Sequence, residues 1–425
     1  MKSIVTRYLI CALLLTQAME GEPTGARDWK STAGTTIHAD AVGIKGGVVS
    51  LKRDDGKMLQ VPLEKFADKD REFLMKHFGV DGDAVAGGGA EYVKDGLAHP
   101  VGTTTGPVKT GNGSSYYVYL PKTLREGRQA PLMHFNGSGG GNAGSLKPYI
   151  EGAERHGWIL AACVESKNGK SFEANHTHAK QCVEHLLETL PIDPERVYFT
   201  GQSGGGAMSF LNAAILRAAG GMPLIGYIPQ GTKVKGGHFY ICGGAVDYNR
   251  YACARAAVEL GDDAIHRVHP GGHTTPPAWI LTEGIAWLTG RYLKEHGRDH
   301  QDEARDYEAA MQAWISQLKE SEPHRAYYWC DFLLETYKMK GPSAAAVQAV
   351  HRELAADEMN VLYVEGVEEI DKFSRREYAP LKNTGTGKGL TTDAIRRGAE
   401  RLLKKYEGVP FVEDTVRHMG DQTAK

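Results

Sequence analysis

Residues 197–206 read Val-Tyr-Phe-Thr-Gly-Gln-Ser-Gly-Gly-Gly, and the organisation of the chain follows from them. A β-branched and aromatic run ends in Gly-x-Ser-x-Gly, and a helical pattern begins at once. This order predicts a nucleophile elbow, a strained strand-to-helix turn that holds Ser203 above a parallel sheet. Side chains at Gly201 or Gly205 would collide with the neighbouring strand and helix. The alternative is a glycine-rich turn with an ordinary serine.

The segment 96–295, which contains this stretch, alternates strand and helix patterns. Its predicted strands are mostly continuous apolar runs, as expected when both faces of a parallel sheet are covered. The alternation predicts a doubly wound α/β sheet. The predicted strands are 115–120, 131–135, 159–164, 197–200, 224–228, 238–242 and 265–268, and helices are predicted near 146–156, 175–190, 204–217, 250–260 and 279–294.

A serine at an elbow needs a histidine that takes its proton and a carboxylate that orients the histidine. Both should follow the carboxyl ends of strands, with the acid first in chain order. Asp247 follows the strand 238–242 and is the predicted acid, with a helix N-cap as its alternative role. His273 follows the last strand in a Pro-Gly-Gly loop and is the predicted base. Glu165, which follows an earlier strand, is the reserve acid.

An oxyanion hole needs two backbone N–H groups aimed at one point. The first is predicted at Gly204, directly after the serine. The second is predicted at Ser138, with Gly139 as its neighbour, in the loop Asn136-Gly137-Ser138-Gly139-Gly140-Gly141. A mobile surface loop is the alternative, but it would not explain why this loop directly follows a predicted strand.

Six features of the segment 96–295 support a family resemblance. They are Tyr117-Val118-Tyr119-Leu120-Pro121, the glycine loop after Phe135, residues 192–198, residues 201–205, Asp247, and Gly271-Gly272-His273. Together they resemble the α/β-hydrolase superfamily, and are most similar to secreted feruloyl esterases, polyhydroxybutyrate depolymerases and dienelactone-hydrolase-like esterases. The resemblance implies a serine esterase that needs no cofactor. Asn136-Gly137 departs from the His-Gly that these families usually carry, and Ser203 stands where dienelactone hydrolases proper use cysteine.

Residues 27–78 resemble a second family. The matching features are Arg27-Asp28-Trp29, the Asp55-Gly56 turn, Val61-Pro62-Leu63 and a closing helix with Asp70 and Phe73. They resemble the small SH3-like Sla homology domain, whose members hold peptides or other partners. The resemblance implies a protein or cell-surface partner for this unit, and a spacer that only packs on its neighbour is the alternative.

The flanking segments complete the predicted organisation. Residues 1–18 carry basic residues, a short apolar core and a small-residue cleavage site, which predicts a signal peptide and export to the periplasm or beyond. Residues 79–95 have linker composition. Residues 296–425 are charged and predicted to be mostly helical. The apolar core of residues 1–18 is too short to span a bilayer, and no run of about 18 apolar residues occurs elsewhere, so no membrane span is expected in the mature chain.

Composition excludes several classes of function. A net charge of −2 gives no electrostatic basis for binding nucleic acid. Six widely spaced cysteines, one of them inside the signal peptide, form no disulfide framework or zinc ribbon, although a single unassigned disulfide stays open. The pair His176-x-His178 is the one metal-like pattern, and exposed helix residues are far commoner than ligands, so no metal is expected.

The sequence therefore predicts an esterase that acts on a small ester or on acyl groups of a polymer such as a carbohydrate. Only about nine residues separate the predicted strands 224–228 and 238–242, which leaves no room for a cap domain and predicts an open pocket. Two alternatives remain. The flanking domains and the altered oxyanion loop would suit a non-catalytic binding or scaffold protein, and a serine peptidase would use the same fold.

Overall fold

The computed structural model describes residues 23–32, 34–45, 48–78, 99–125, 127–381 and 392–420. The chain divides into two compact units near residue 92. The predicted signal peptide and the predicted linker, residues 79–95, lie outside the described residues.

The amino-terminal unit is a four-stranded antiparallel sheet closed by one helix. Trp29 is buried and donates from Nε1 to the carbonyl oxygen of Ala39 at 2.8 Å. The carboxylate of Asp70, on the helix, accepts from the backbone N–H of Lys30 at 2.8 Å, which ties the helix to the first strand. The strands are β1 (Arg27–Lys30), β2 (Thr36–Lys45), β3 (Val48–Lys52) and β4 (Met58–Pro62), and the helix is α1 (Asp68–His77).

The larger unit is built on an eight-stranded sheet. The strands lie in the order β5-β6-β8-β7-β9-β10-β11-β12, and β6 runs antiparallel to both of its neighbours while the pairs from β8 to β12 are parallel. The predicted α/β fold class is confirmed. The strands are β5 (Thr104–Lys109), β6 (Ser115–Tyr119), β7 (Ala130–Asn136), β8 (Ile159–Cys163), β9 (Ile192–Gln202), β10 (Gly220–Leu224), β11 (His238–Gly244) and β12 (Ala264–His269).

The prediction for the strand after the elbow helix was wrong. That strand, β10, spans Gly220–Leu224 rather than 224–228. An added Cβ at Gly220 would lie 1.9 Å from the carbonyl oxygen of His238, so this glycine permits close contact between β10 and β11. The helix has already ended at Leu216, with Arg217 in the left-handed conformation. The edge strand β5 was not predicted either.

Helices cover both faces of the sheet. Adjacent residues of a strand point to opposite faces of the sheet. Tyr198 of β9 points to one face, where it joins a hydrophobic cluster with the helix that follows β12. Phe239, on the other face, stacks on Phe210 of the helix after the elbow, with ring centroids 5.6 Å apart. These helices are α2 (Ala143–Leu146), α3 (Ile150–His156), α4 (Phe172–Thr189), α5 (Gly204–Leu216), α6 (Arg250–Leu260) and α7 (Ala278–His296).

The carboxyl-terminal region is helical, as predicted, and it shares its core with the sheet. Glu283 of α7 is fully buried and bonds both Arg267 of β12, at 3.2 Å, and Arg325 of the tail, at 3.0 Å. Removing one partner from such a buried set leaves an uncompensated charge, so the three side chains fix the tail to the sheet. The tail consists of α8 (Gln301–Ser321), α9 (Pro323–Asp331), a π-helical turn (Phe332–Tyr337), α10 (Gly341–Leu354), α11 (Glu358–Glu377), α12 (Asp393–Lys405) and α13 (Val412–Gly420).

Two further properties concern the described residues alone. None of their helices combines the length and the apolar character needed to cross a bilayer. The five cysteines among them are all buried free thiols.

Candidate active site

Ser203 sits in a strained turn between β9 and α5. Its φ is 57° and its ψ is −115°, a backbone conformation that L-residues rarely adopt. An added Cβ would lie 2.1 Å from the carbonyl oxygen of Asn136 at Gly201, and 1.8 Å from the same oxygen at Gly205. The crowding expected at both glycines is present. Because neither residue has a side chain, α5 can begin directly against β7.

Three residues from separate strand ends meet above the sheet. Nε2 of His273 lies 2.9 Å from Oγ of Ser203, and Nδ1 of His273 lies 2.7 Å from Oδ2 of Asp247. Ser203 follows β9, Asp247 follows β11 and His273 follows β12, so all three project from the carboxyl edge. An ionised carboxylate can only accept hydrogen bonds, so the proton lies on Nδ1 and leaves Nε2 free to accept from the serine hydroxyl.

Asp247 is fully buried. Burial raises the pKa of its carboxyl, while the N–H of Asn249, the ring of His273 and the charge of Arg250 act in the opposite direction. The N-cap position of α6 belongs to Asn249. Asp247 thus lies two residues before the cap, and its second carboxylate oxygen is engaged by His273.

The reserve acid, Glu165, is engaged elsewhere. Its carboxylate accepts from the backbone N–H of Ser115 at 2.7 Å and from the hydroxyl of the same serine at 2.6 Å. The structure does not bring it to His273 and instead uses it to hold the loop after β8.

The predicted oxyanion loop follows β7 and faces the start of α5. Gly204 is the first residue of α5, where backbone N–H groups have no partner within the helix. Ser138 is partly exposed, and its carbonyl oxygen accepts from the N–H of Asn168 at 2.8 Å. The side chain of Asn136 is fully buried, and neither of its amide atoms has a partner among the described residues.

Two residues at the site were missed by the sequence reasoning. The hydroxyl of Tyr248 lies 2.6 Å from Nε2 of His273, and the two rings stack with centroids 4.0 Å apart. Asn168 contacts Gly204, because a Cβ added there would lie 2.0 Å from its Oδ1. The signals available were an aromatic residue directly after Asp247 and an Asn-Gly turn in the loop after β8.

The remaining histidines take other positions. His134 is buried within β7, where burial lowers its pKa to about 3. His269 is buried at the end of β12, where burial lowers its pKa to about 4. His176 pairs with Asn212 and His178 with Ser114, both at 2.8 Å. Among the residues that the structure describes, no three His, Cys, Asp or Glu side chains form a group that could hold a metal ion.

A cavity of about 270 Å³ lies at the opposite edge of the sheet. Arg128 and Arg196 line it together with Glu303 and Asp306 of α8, and these side chains are ion-paired with one another. Because this edge holds the amino ends of β7 and β9, the cavity is not part of the Ser203 site.

The strand order and the elbow define the larger unit as an α/β-hydrolase fold. Residues 17–81 match the family described as SLA1 homology domain 1, so the chain joins such a domain to the hydrolase fold. A comparison with curated protein sequences finds no match.

Solved structures with a related fold include three that align with less than half of this chain. An esterase from Pyrobaculum calidifontis aligns over 45% of this chain and 86% of its own, at 12% identity and a TM-score of 0.38. The corresponding values are 41%, 92%, 11% and 0.34 for fluorophosphonate-binding serine hydrolase F from Staphylococcus aureus. They are 43%, 95%, 16% and 0.33 for Est1E from Butyrivibrio proteoclasticus. The fold assignment therefore rests on strand order and elbow geometry.

Proposed function

We propose that this protein is a serine hydrolase of carboxylic esters that works through an acyl-enzyme. The observation that carries the proposal is the unbroken hydrogen-bond chain from Ser203 through His273 to the buried Asp247. A nucleophile, a base within hydrogen-bond reach and a group that orients the base are the elements that activate an otherwise unreactive hydroxyl.

Each residue has a defined role in this reaction. Oγ of Ser203 attacks the carbonyl carbon as its proton moves to Nε2 of His273, and the electron pair of the C=O bond moves onto the oxygen. The N–H groups of Gly204 and Ser138 stabilise that oxyanion. The C–O bond to the alcohol then breaks, and Nε2 returns the proton to the departing oxygen. Water repeats the sequence on the acyl-enzyme and releases the acid.

The open surface around Ser203 favours esters on a polymer or a small ester over a substrate that must be enclosed. The connection between β10 and β11 spans 225–237 and contains no helix, so no cap domain is inserted there. The side chain of Tyr248, directly beside His273, is 39% exposed. A polymeric carbohydrate bearing acyl groups could approach this edge without displacing a lid.

Active-site labelling and turnover test the proposal together. Wild type should hydrolyse an activated acetate ester and bind a fluorophosphonate probe covalently, and Ser203→Ala should do neither. Ser316→Ala, on the exposed face of α8, is the matched control and should behave as wild type. Labelling of Ser203→Ala, or equal hydrolysis by it and wild type, would contradict the proposal.

The same experiments separate the two alternative functions. A non-catalytic binding protein would show no labelling but specific retention on a polysaccharide or cell-wall fraction. A peptidase would also cleave a peptide amide with the same acyl group, whereas an esterase should leave that amide intact while it hydrolyses the ester.

The proposal extends to export and to the amino-terminal unit. We infer that the chain acts outside the cytoplasm, which sequencing of the mature amino terminus and cell fractionation would test. Deletion of residues 27–78 should leave hydrolysis of a soluble ester unchanged and weaken retention on a cell-surface fraction if this unit holds a partner. Unchanged retention would favour the spacer role.

A further inference from the structure

The loop between β8 and α4 reaches both residues from which the oxyanion donors are expected. The backbone N–H of Asn168 donates to the carbonyl oxygen of Ser138 at 2.8 Å. Its carboxamide lies against Gly204, since a Cβ added there would meet Oδ1 at 2.0 Å and Nδ2 at 3.4 Å. Asn168 therefore contacts both residues, Ser138 through its backbone N–H and Gly204 through its side chain.

The backbone that leads into Asn168 is anchored at two points. Before it, the carboxylate of Glu165 accepts two hydrogen bonds from Ser115. The buried side chain of Asn175, at the start of α4, then bonds both the N–H and the carbonyl oxygen of Lys167, the residue directly before Asn168, each at 3.0 Å. Gly169, with φ of +88°, permits the turn that follows. These bonds fix the backbone from which the side chain of Asn168 projects toward Gly204.

We propose that Asn168 is a third, side-chain donor of the oxyanion hole, an inference that rests on the proposed esterase function. A carboxamide carries two N–H donors beside its oxygen, and a half-turn about its last torsion exchanges the two ends. As Ser203 adds to the ester carbon, Nδ2 of Asn168 donates to the oxygen that receives the electron pair. Asn168 is in this sense a catalytic residue, and its backbone N–H positions Ser138.

The arrangement also bears on the altered oxyanion loop. Asn136 stands where related esterases have histidine, and its side chain is buried in the sheet rather than at the surface. A donor from the loop after β8 supplies polarity at the mouth of the site from a different direction.

Two substitutions at this position remove the donor without altering the core. Asn168 is exposed, so Asn168→Ala and the isosteric Asn168→Asp should both fold with an unchanged melting temperature. Loss of one oxyanion donor typically lowers kcat by about 10²- to 10³-fold. We expect a loss of that size with KM changed little, and a loss at least as large for Asn168→Asp because it places a negative charge beside the oxyanion. Lys167→Ala, the exposed neighbour in the same loop, should retain wild-type kcat.

A thionoester substrate distinguishes donation from a structural role. Sulfur accepts hydrogen bonds weakly, so the penalty of Asn168→Ala should be much smaller on the thionoester than on the matched oxygen ester. Equal penalties on the two substrates would overturn the inference, as would an Asn168→Ala variant with wild-type kcat while wild type is active and labelled at Ser203. A wild type that neither hydrolyses the ester nor reacts with fluorophosphonate would overturn the proposed function as well.

Discussion

Gly205→Ala tests whether the close contact between α5 and β7 builds the site. The new Cβ would lie 1.8 Å from the carbonyl oxygen of Asn136. Carbon atoms normally approach such an oxygen no closer than about 3.3 Å, so the two elements must separate by roughly 1.5 Å. Overpacking of this kind destabilises a fold by about 1–3 kcal/mol. A separation of α5 from β7 would widen the gap between Ser203 and the oxyanion loop. A misplacement of about 1 Å can lower a rate by roughly 10²-fold.

The assay combines urea unfolding, ester hydrolysis and the rate of fluorophosphonate labelling. Gly139→Ala is the matched control, because a Cβ there would meet nothing within 4 Å, and its unfolding midpoint should equal that of wild type. Gly205→Ala should unfold at lower urea and lose about two orders of magnitude in both rates. A Gly205→Ala variant with wild-type stability and wild-type rates would refute the reasoning that this contact sets the geometry of the elbow.

Three further predictions concern charges and hydrogen bonds. Because burial raises the pKa of Asp247, the folded state binds its proton more tightly than the unfolded chain, and ionisation destabilises the fold as pH rises. The melting temperature of Asp247→Asn relative to wild type should therefore rise as the pH is raised above about 4, the ordinary pKa of an aspartate. A pH-independent difference would count against this. The substitution itself should lower kcat by about 10⁴-fold. Tyr248→Phe keeps the ring and removes the hydroxyl that competes with Ser203 for Nε2 of His273. Fluorophosphonate labelling should then be about fivefold faster, as expected for about 1 kcal/mol, and slower labelling would show that the hydroxyl assists instead. Glu283→Ala leaves two buried arginines without their shared carboxylate and should lower the free energy of unfolding by about 3–5 kcal/mol, whereas a chemical-denaturation curve like that of wild type would contradict a structural role.

Much of the fold could be predicted because its signals are local. Ten consecutive residues were sufficient to predict the elbow. The helix predicted near 250–260 is α6, which has these bounds in the structure. The position of β10 could not be predicted in this way. Gly220 and Gly221 look like a helix stop in sequence, but they are the residues small enough to fit between β9 and β11. Their use depends on neighbours that are distant along the chain.

The residues of the candidate site also differ in whether the sequence alone could predict them. Chain order and strand ends were sufficient to nominate Ser203, Asp247 and His273, and the structure places all three within hydrogen-bond distance in series. Nothing in the sequence separated Glu165 from Asp247 except position. In the structure the two carboxylates have different partners. Glu165 is bonded to Ser115, whereas Asp247 is buried beside His273.

By itself, the sequence determined where the backbone must turn and which residues follow the carboxyl ends of the strands. These properties depend on glycine, β-branched and apolar residues that are adjacent in the chain. Only the tertiary structure decided that Tyr248 reaches Nε2 of His273 and that Asn168 lies against Gly204. Such contacts depend on how separate loops are anchored and packed, so they arise only when the sheet brings those loops to one edge.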